Sequence, residues 1–196
     1  MALLVRWPHL QQFKCFNPSG VENGWQLCSN TRLVEKDIFI ALGSNVGDRE
    51  LNLLRAVAEI AKMPGSKVTA LSSFYDTEPV GMGAADNFIN AVLRLESSLP
   101  PADLLRELMQ IESEVFQRKR SSSVDPRRMD LDILFYGSCL IDRPPALVIP
   151  HPRLHERRFV LEPLADVAPE FMHPRLKKRV STLLAELKDG SQVMKT

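Results

Sequence analysis

The sequence predicts an α+β fold of the ferredoxin-like, split β-α-β type, a sandwich with additional C-terminal strands and helices. Between residues 37 and 136 the patterning gives strand, helix and strand twice in succession. Both helical segments carry apolar residues at helical spacing, and polar or glycine-rich loops separate the elements. No internal repeat and no linker marks a second domain. We therefore expect one domain over residues 37–190, preceded by an extension over residues 1–36.

The first β-α-β unit begins with the short apolar run Ile38–Leu42, which predicts a buried strand. Turn-forming residues occupy positions 43–48, and Asp48 is suited to cap the helix that follows. Residues Lys67–Tyr75 are rich in β-branched and aromatic types and predict the second strand. The predicted buried stripe of the helix consists of Leu51, Leu54, Val57, Ile60 and Ala61.

The second unit follows a loop at Asp76–Asn87, whose proline and glycines are unsuited to regular structure. The alternating pattern of Phe88–Glu96 predicts a half-buried strand whose polar face is available for a site. A Pro-Pro pair then opens a helix that extends to Val115. After a basic and serine-rich loop, a strand at Asp130–Tyr136 completes the unit.

The two ends of the chain are less regular. Prolines interrupt the last fifty residues, which predict one amphipathic helix at about Leu176–Leu187. Residues 1–36 have neither helical nor strand periodicity, so we expect either a disordered tail or an overextended start. An organelle transit peptide is the weaker alternative, because the segment contains few Arg and Ser residues.

The composition is that of an ordinary soluble domain with 44% hydrophobic residues and a net charge of +1 over 196 residues. This charge gives no indication of a nucleic-acid or membrane partner. No apolar run approaches the roughly 18–20 residues of a membrane span. Cys15, Cys28 and Cys139 lack metal-ligand spacing, and we expect free thiols in a reducing compartment. We expect a cytoplasmic monomer.

Two carboxylates, Asp130 and Asp132, lie one residue apart within a hydrophobic run. On a strand they point to the same face, roughly 6.5–7 Å apart, while Leu131, Ile133 and Phe135 are expected to face a core. Such a pair can hold Mg²⁺ against phosphate oxygens. Alternating acids on a strand are nevertheless often only solvated, so this motif is weak without converging neighbours.

Two basic clusters flank the acid pair. Guanidinium groups bind phosphate oxygens bidentately, so the combination suits a nucleoside triphosphate with Mg²⁺. The sequence contains neither a P-loop nor a dinucleotide-binding glycine motif. We interpret residues 43–47 as a strand-to-helix turn without direct phosphate contact. The first cluster consists of Arg118, Lys119, Arg120, Arg127 and Arg128, and the second of His151, Arg153, His155, Arg157 and Arg158.

Five motifs in one order cover about residues 37–170. They are I-A-L-G-S-N-V-G-D (40–48), S-S-F-Y-D-T-E-P-V-G (72–81), F-I-N-A-V (88–92), P-R-R-M-D-L-D-I-L-F-Y-G (126–137) and I-P-H-P-R-L-H-E-R-R-F-V-L-E-P-L (149–164). With these motifs the chain resembles the 6-hydroxymethyl-7,8-dihydropterin pyrophosphokinase family of folate biosynthesis. Five ordered motifs are far more specific than any one of them.

The resemblance implies that ATP, as co-substrate, gives its β,γ-diphosphate to the hydroxymethyl group of the reduced pterin and leaves AMP. It implies two Mg²⁺ ions held by Asp130 and Asp132. The implied catalytic residues are Arg118, Arg120, Arg127, Asp130 and Asp132. The implied pterin contacts are Thr77, Glu78, Pro79, Val80, Phe88, Asn90 and Phe159, and the implied ATP contacts are Glu112, Arg127, His151 and Arg157.

The chain departs from the family pattern just before the acidic strand. The family usually has Trp-Gly where this chain has Val124 and Asp125. The resemblance therefore implies that an indole contact over the pterin is missing and that a negative charge is added close to the phosphates.

Two other functions are compatible with part of this pattern. A two-metal nucleotidyltransferase also combines Gly-Ser with paired aspartates, but Ser44 and Asp130 are far apart for that class. A non-catalytic ferredoxin-like binding domain is compatible with the fold, although it does not explain acids flanked by basic clusters. The products separate the two enzymes, because a pyrophosphokinase releases AMP and a nucleotidyltransferase releases pyrophosphate.

Overall fold

The computed structural model describes residues 36–78, 86–117 and 128–196, together with the backbone of two short strands, β1 (Lys14–Phe16) and β2 (Trp25–Leu27). The further strands are β3 (Lys36–Ser44), β4 (Ser66–Leu71), β5 (Tyr75–Thr77), β6 (Phe88–Ser97), β7 (Asp130–Tyr136), β8 (Cys139–Arg143), β9 (Leu147–Ile149) and β10 (Val193–Lys195). The helices are α1 (Arg49–Ile60), α2 (Pro101–Gln110), α3 (Arg158–Val167) and α4 (Val180–Glu186). A π-helical turn at Ile111–Val115 continues α2, and a 3₁₀ turn at Leu154–Glu156 precedes α3.

The main sheet is antiparallel and has the order β10-β5-β6-β3-β7, with β4 pairing with β6 beside β5. The chain order β3-α1-β4, β6-α2-β7 places β3 and β6 in the centre and β4 and β7 outside them. This is the predicted ferredoxin-like split β-α-β arrangement. A second sheet has the order β2-β1-β8-β9, so β1 brings part of the N-terminal extension against β8.

Each face of the main sheet is covered by a different pair of helices. On one face Ile40, Leu93 and Ile133 belong to a core cluster that includes Leu53 of α1 and Leu104 of α2. On the other face a second cluster packs against α3 and α4, and its sheet residues are Phe39, Val92, Leu134 and Phe135. The sheet is therefore the middle layer of a sandwich. Successive side chains of each strand point to opposite faces, so they pack against different helix pairs.

The predicted cap of α1 is confirmed, but its predicted buried stripe is only partly correct. Ile60 is buried and Val57 packs against the core, whereas Leu51, Leu54 and Ala61 are exposed. The Asp48 side chain accepts a hydrogen bond from the backbone N–H of Leu51 at 3.0 Å. Leu51 and Leu54 are 59% and 51% exposed, whereas the buried residues of the helix are Leu53, Ala56 and Ile60. Leucines at both phases of the helix make two overlapping stripes possible, and packing against the sheet selects the second.

Two predicted strand boundaries are wrong. The strand expected at Lys67–Tyr75 is interrupted after Leu71, and the chain resumes as β5, which extends into the expected loop as far as Thr77. Gly43 and Ser44, expected in a turn, are still paired within β3. Both changes lengthen the paired region at one end of the sheet, where the cleft described below lies.

A β-bulge changes the direction of Phe135. The register of β7 against β3 shifts between Phe39 and Ile40, so that Phe39 pairs with Phe135 but Ile40 pairs with Ile133. Beyond this bulge Leu134 and Phe135 both pack on the α3–α4 side. The prediction that Leu131, Ile133 and Phe135 share one face therefore holds for the first two residues only.

The C-terminal region is more regular than predicted. The helix expected at about Leu176–Leu187 is the shorter α4, and α3 forms despite Pro163 within it. Strand β10 is one of the additional C-terminal strands that the fold prediction includes, although the sequence pattern does not indicate its position. None of the helices in the described ranges is long and apolar enough to span a lipid bilayer.

Candidate active site

A cleft of about 1190 Å³ opens on the α3–α4 side of the sheet. Its floor is formed by the cleft-facing residues of three neighbouring strands, and its walls come from β5, from the turn before α3, and from the region around α4. The floor residues are Ala41 and Gly43 of β3, Asn90 of β6, and Asp130, Asp132 and Leu134 of β7.

The strand register arranges the floor in rows. Gly43 pairs with Asn90 on one side and with Asp130 on the other, and Ala41 likewise pairs with Asp132. Since neighbouring strands are about 4.8 Å apart, Asn90 and Asp130 are separated by roughly 10 Å across a floor of minimal side chains. A Cβ atom on Gly43 would lie 3.0 Å from Oδ1 of Asn90. Glycine therefore allows the Asn90 amide to approach the strand backbone closely.

Asp130 and Asp132 form the acidic side of this floor. Both are half-buried on one face of β7, as the sequence predicted, and both line the cleft. The described residues contain no group of three or more His, Cys, Asp or Glu side chains that could hold a metal. Two carboxylates facing an open cleft nevertheless suit Mg²⁺, which is commonly held by one or two carboxylates together with substrate phosphates and water.

Glu112 lies behind this strand and is not among the cleft-lining residues. It is buried, and its Oε1 accepts a hydrogen bond from the backbone N–H of Leu131 at 2.8 Å. Leu131 is the residue between the two aspartates, so Glu112 fixes the backbone that carries them. Its contact with ATP stays a prediction.

The opposite side of the floor combines aromatic and polar groups. Thr77 at the end of β5, Glu78, Phe88 and Asn90 all line the cleft, and Phe159 of α3 lines it as well. The Asn90 Nδ2 donates to the Thr77 hydroxyl at 2.6 Å, which makes the hydroxyl proton available to another acceptor. The side-chain oxygen of Asn90, Oδ1, is a hydrogen-bond acceptor beside the Thr77 hydroxyl. A flat heteroaromatic ring with donors and acceptors along one edge would match this wall.

His151 and Arg157 contribute to the basic part of the cleft. Burial, which contributes most, and the charges of Arg157 and Arg153 together lower the pKa of His151 from 6.5 to about 4, while Asp130 opposes the shift. His151 is therefore neutral at physiological pH. Its Nδ1 accepts a long hydrogen bond from the Arg153 N–H at 3.4 Å, which favours the tautomer with the proton on Nε2.

Arg157 connects the aromatic and acidic parts of the site. Its guanidinium carbon lies 5.5 Å from the centre of the Phe159 ring, a cation–π contact. Burial and the nearby Arg153 lower the pKa of Arg157, while Asp132 and Asp130 raise it. A guanidinium in this position remains charged and can take phosphate oxygens beside the carboxylates.

The structure brings together the described site residues that the sequence predicted, with Glu112 as the exception. Those lining the cleft are Thr77, Glu78, Phe88, Asn90, Asp130, Asp132, His151, Arg157 and Phe159. Pro79, Val80, Arg118, Arg120 and Arg127 lie outside the described residues, and their contacts stay predictions.

Other cleft residues were not predicted as site residues. Gly43 carried a usable signal, because a glycine within a strand often marks a close backbone approach. Arg153 and His155 belonged to the second basic cluster, but no role was given to them. No local pattern marked Lys178, Lys188 and Asp189, because they reach the cleft only through the packing of the C-terminal region.

Comparisons with known proteins identify relatives that belong to one family. A family model described as 7,8-dihydro-6-hydroxymethylpterin-pyrophosphokinase matches residues 39–169. The 2-amino-4-hydroxy-6-hydroxymethyldihydropteridine pyrophosphokinase of Bacillus subtilis is 44% identical over 129 residues, covering 66% of this chain and 76% of the relative. The enzyme of the same name from Porphyromonas gingivalis is 39% identical, covering 70% and 93%.

Some similar proteins are much longer than this chain. The Dictyostelium discoideum folic acid synthesis protein FOL1 is 31% identical over 97% of this chain, which spans only 30% of that protein. A crystal structure of Plasmodium falciparum HPPK-DHPS superposes with a TM-score of 0.65 at 14% identity, covering 80% of this chain and 46% of that one. At this identity the superposition supports the fold alone.

Proposed function

Because the chain belongs to the 7,8-dihydro-6-hydroxymethylpterin-pyrophosphokinase family and is a pyrophosphokinase of folate biosynthesis, we propose that it performs its transfer in this cleft. In that transfer the β,γ-diphosphate of ATP passes to the hydroxymethyl oxygen of the reduced pterin. The new bond joins this oxygen to the β-phosphorus, and the hydroxymethyl group gives up its proton to solvent. The bond between the β-phosphorus and the oxygen that bridges to the α-phosphorus breaks, and AMP leaves with that oxygen.

The observation that carries this assignment is the arrangement of the floor. The Asn90–Thr77 pair and the Asp130–Asp132 pair lie on opposite sides of strand β3, separated by Gly43 and Ala41. A pterin ring bound against the polar pair would have its hydroxymethyl arm directed toward phosphates held near the acids. Little covalent chemistry is required of the protein in phosphoryl transfer, so positioning and charge stabilisation are its main contributions.

We assign the pterin ring to the wall formed by Phe88, Phe159, Asn90 and Thr77. The two phenyl groups would stack on the faces of the ring, and the amide and hydroxyl would bind its polar edge. Arg157 and neutral His151 would donate to phosphate oxygens of ATP, the first as a cation and the second through a neutral N–H.

Asp130 and Asp132 are the residues that would hold Mg²⁺. When bound there, the metal would neutralise charge on the phosphate oxygens as the transfer proceeds. The proposal includes two such ions, as the family resemblance implies. It also includes a cytoplasmic location, which rests on the expected free thiols, and a monomeric state.

The test is a product assay with ATP, Mg²⁺ and the reduced pterin alcohol. We expect AMP and the pterin diphosphate to form in equal amounts, whereas release of pyrophosphate would indicate a nucleotidyltransferase.

Asp130→Asn and Asp132→Asn should each lower kcat more than about 100-fold while the proteins stay folded. Asp142→Asn, on β8 and outside the cleft-lining set, is the matched control and should retain wild-type rates. Normal turnover of both site variants in saturating Mg²⁺ would refute the metal assignment.

A further inference from the structure

The segment 187–196 contacts both walls of the cleft, although it lies beyond residue 169, where the family match ends. Strand β10 pairs with β5, with Val193 opposite Thr77. Leu187 packs against the same apolar cluster as Phe159. Between these two contacts, Asp189 lines the cleft. The segment thus joins the polar wall of the cleft to the helix that carries its aromatic wall.

Asp189 accepts two hydrogen bonds from Arg158, the first residue of α3. Its Oδ2 accepts the backbone N–H of Arg158 at 2.9 Å, and its carbonyl oxygen accepts the Arg158 Nε at 3.0 Å. Its Oδ1 accepts the backbone N–H of Ser191 at 2.9 Å, which holds the carboxylate in place. Burial acts to raise the pKa of Asp189, but these hydrogen bonds hold it below its usual value of 3.8.

Helix α3 has no local cap that could replace this contact. Arg157 occupies the N-cap position, and its side chain makes no capping hydrogen bond. The first turn of a helix carries backbone N–H groups without partners inside the helix, and an acid near them stabilises the turn. Asp189 supplies that acid from 31 residues further along the chain.

The residues on either side of Arg158 are the ones that face the cleft. Arg157 and Phe159 both line it, and they contact each other through the cation–π pair. Arg158 itself is directed away, with its guanidinium bonded to Glu162 at 3.0 Å and to Asp189. A hydrogen bond that fixes the Arg158 backbone therefore also restricts the backbone positions from which the Arg157 and Phe159 side chains extend.

We propose that Asp189 is a positioning residue that caps α3 and thereby holds Arg157 and Phe159 in their binding geometry for ATP and the pterin. This inference rests on the proposed function of those two residues. Without the cap, the first turn of α3 is free to fray in the unbound protein, and substrate binding has to order it again.

The test measures binding and turnover in Asp189→Ala. We expect KM to rise about three- to thirty-fold for both ATP and the pterin, the range that corresponds to the loss of one helix cap, with a smaller change in kcat. Hydrogen exchange of the Arg158 amide should become faster in the protein without substrates. Asp189→Asn retains an acceptor oxygen for this amide and should recover most of the loss, and it remains informative if the alanine variant does not fold.

A double variant separates positioning from direct contact with substrate. In an Arg157→Ala background, the further effect of Asp189→Ala on the KM for ATP should largely disappear, because the residue through which it acts is already missing. An undiminished effect would mean that Asp189 acts independently of Arg157 and would overturn the proposal. Asp142→Ala is the matched control, because Asp142 also lies near an arginine, 3.9 Å from Arg175, but is not a cleft-lining residue.

The outcomes also distinguish this proposal from the function on which it rests. Wild-type KM values in Asp189→Ala, with impaired Arg157→Ala and Phe159→Ala, would overturn the role of Asp189 and leave the substrate site intact. Wild-type KM values in Arg157→Ala and Phe159→Ala would overturn both, because Asp189 would then have no binding residues to position.

Discussion

Two histidines whose pKa values are lowered to about 4 occupy different places in the molecule. His151 lines the cleft, whereas His173 lies in the turn between α3 and α4, against the ring of Phe135. The His173 Nδ1 accepts the backbone N–H groups of Arg175 and Leu176, each at 3.2 Å. A protonated ring could not accept these bonds, so the neutral imidazole is part of the turn.

His173 should make the stability of the protein depend on pH. Burial, which contributes most, and the nearby His155 together lower its pKa from 6.5 to about 4. At His173 the unfolded chain therefore binds more protons than the folded protein between these pH values. The contribution of neutral His173 to stability is complete above pH 6.5 and is lost as the pH falls toward 4. We expect the free energy of unfolding in urea to be smaller at pH 4.5 than at pH 7.

His173→Asn isolates this contribution. Its Oδ1 can accept the same turn amides but does not titrate, so its free energy of unfolding should fall less over this pH range. His151 and the carboxylates titrate in both proteins and cancel in the difference between them. Parallel pH profiles for the two proteins would show that His173 is not the responsible group.

At the residue scale, sequence reasoning found groups whose position follows from local alternation. Asp130 and Asp132 share a face because they are two residues apart on a strand, and Phe88 and Asn90 do so for the same reason. Asp189 could not be found in this way. Its role depends on a bond to Arg158 that only the complete fold creates.

At the scale of elements, Arg49, the first residue of α1, connects the two ends of the loop between β5 and β6, which contains the predicted pterin contacts Glu78, Pro79 and Val80. Arg49 Nη1 donates to the backbone carbonyl of Asn87 at 2.7 Å and lies 3.3 Å from Oδ2 of Asp76. Asn87 Nδ2 in turn donates to Asp76 Oδ1 at 2.6 Å. Asp76 belongs to β5 and Asn87 immediately precedes β6, so this triad fixes the spacing of both ends of the loop.

Arg49→Ala should weaken pterin binding more than ATP binding. Thr77 and Phe88 directly adjoin Asp76 and Asn87, so loss of the arginine should loosen the wall assigned to the pterin. We expect the KM for the pterin to rise about three- to ten-fold, as for the loss of one or two hydrogen bonds, with the KM for ATP nearly unchanged. Steady-state kinetics with each substrate varied in turn would measure this.

Arg94→Ala is the matched control for this variant. Arg94 also forms a partly exposed ion pair with an aspartate, Asp37, at 2.9 Å, but it lies six residues further along β6, roughly 20 Å from Phe88. The Arg94→Ala substitution should lower the free energy of unfolding slightly and leave the KM values for both substrates unchanged. Equal kinetic effects of the two substitutions would contradict a specific role for the Arg49 triad.

The predictions for individual helices and strands were wrong where the sequence is compatible with two local arrangements and tertiary packing determines which one forms. The leucines of α1 permit two stripes, and only contact with the sheet decides that Leu53 is buried and Leu54 exposed. The bulge in β7 sends Phe135 to the side opposite Ile133, which strict alternation cannot anticipate. The order of the elements was predictable because hydrophobic periodicity is repeated over many residues.

At the scale of the whole molecule, the sheet separates a supporting layer from a functional layer. Helices α1 and α2 pack on the face away from the cleft, while α3 and α4 pack on the face that contains it. Each layer has its own apolar cluster. Damage to the two clusters should therefore have different consequences for substrate binding, even when the loss of stability is similar.

Leu53→Ala and Leu161→Ala test this separation with one substitution in each layer. Both leucines are fully buried in helices, so each variant should lose about 2–5 kcal/mol of unfolding free energy in urea. Leu161 lies one turn after Arg157, whose carbonyl oxygen accepts its N–H at 3.0 Å, so its truncation should also raise KM for both substrates several-fold. Leu53→Ala should leave both KM values at the wild-type level when they are measured well below its unfolding temperature. Similar KM changes in both variants would mean that the two layers are coupled through the sheet and that the cleft depends on the whole core.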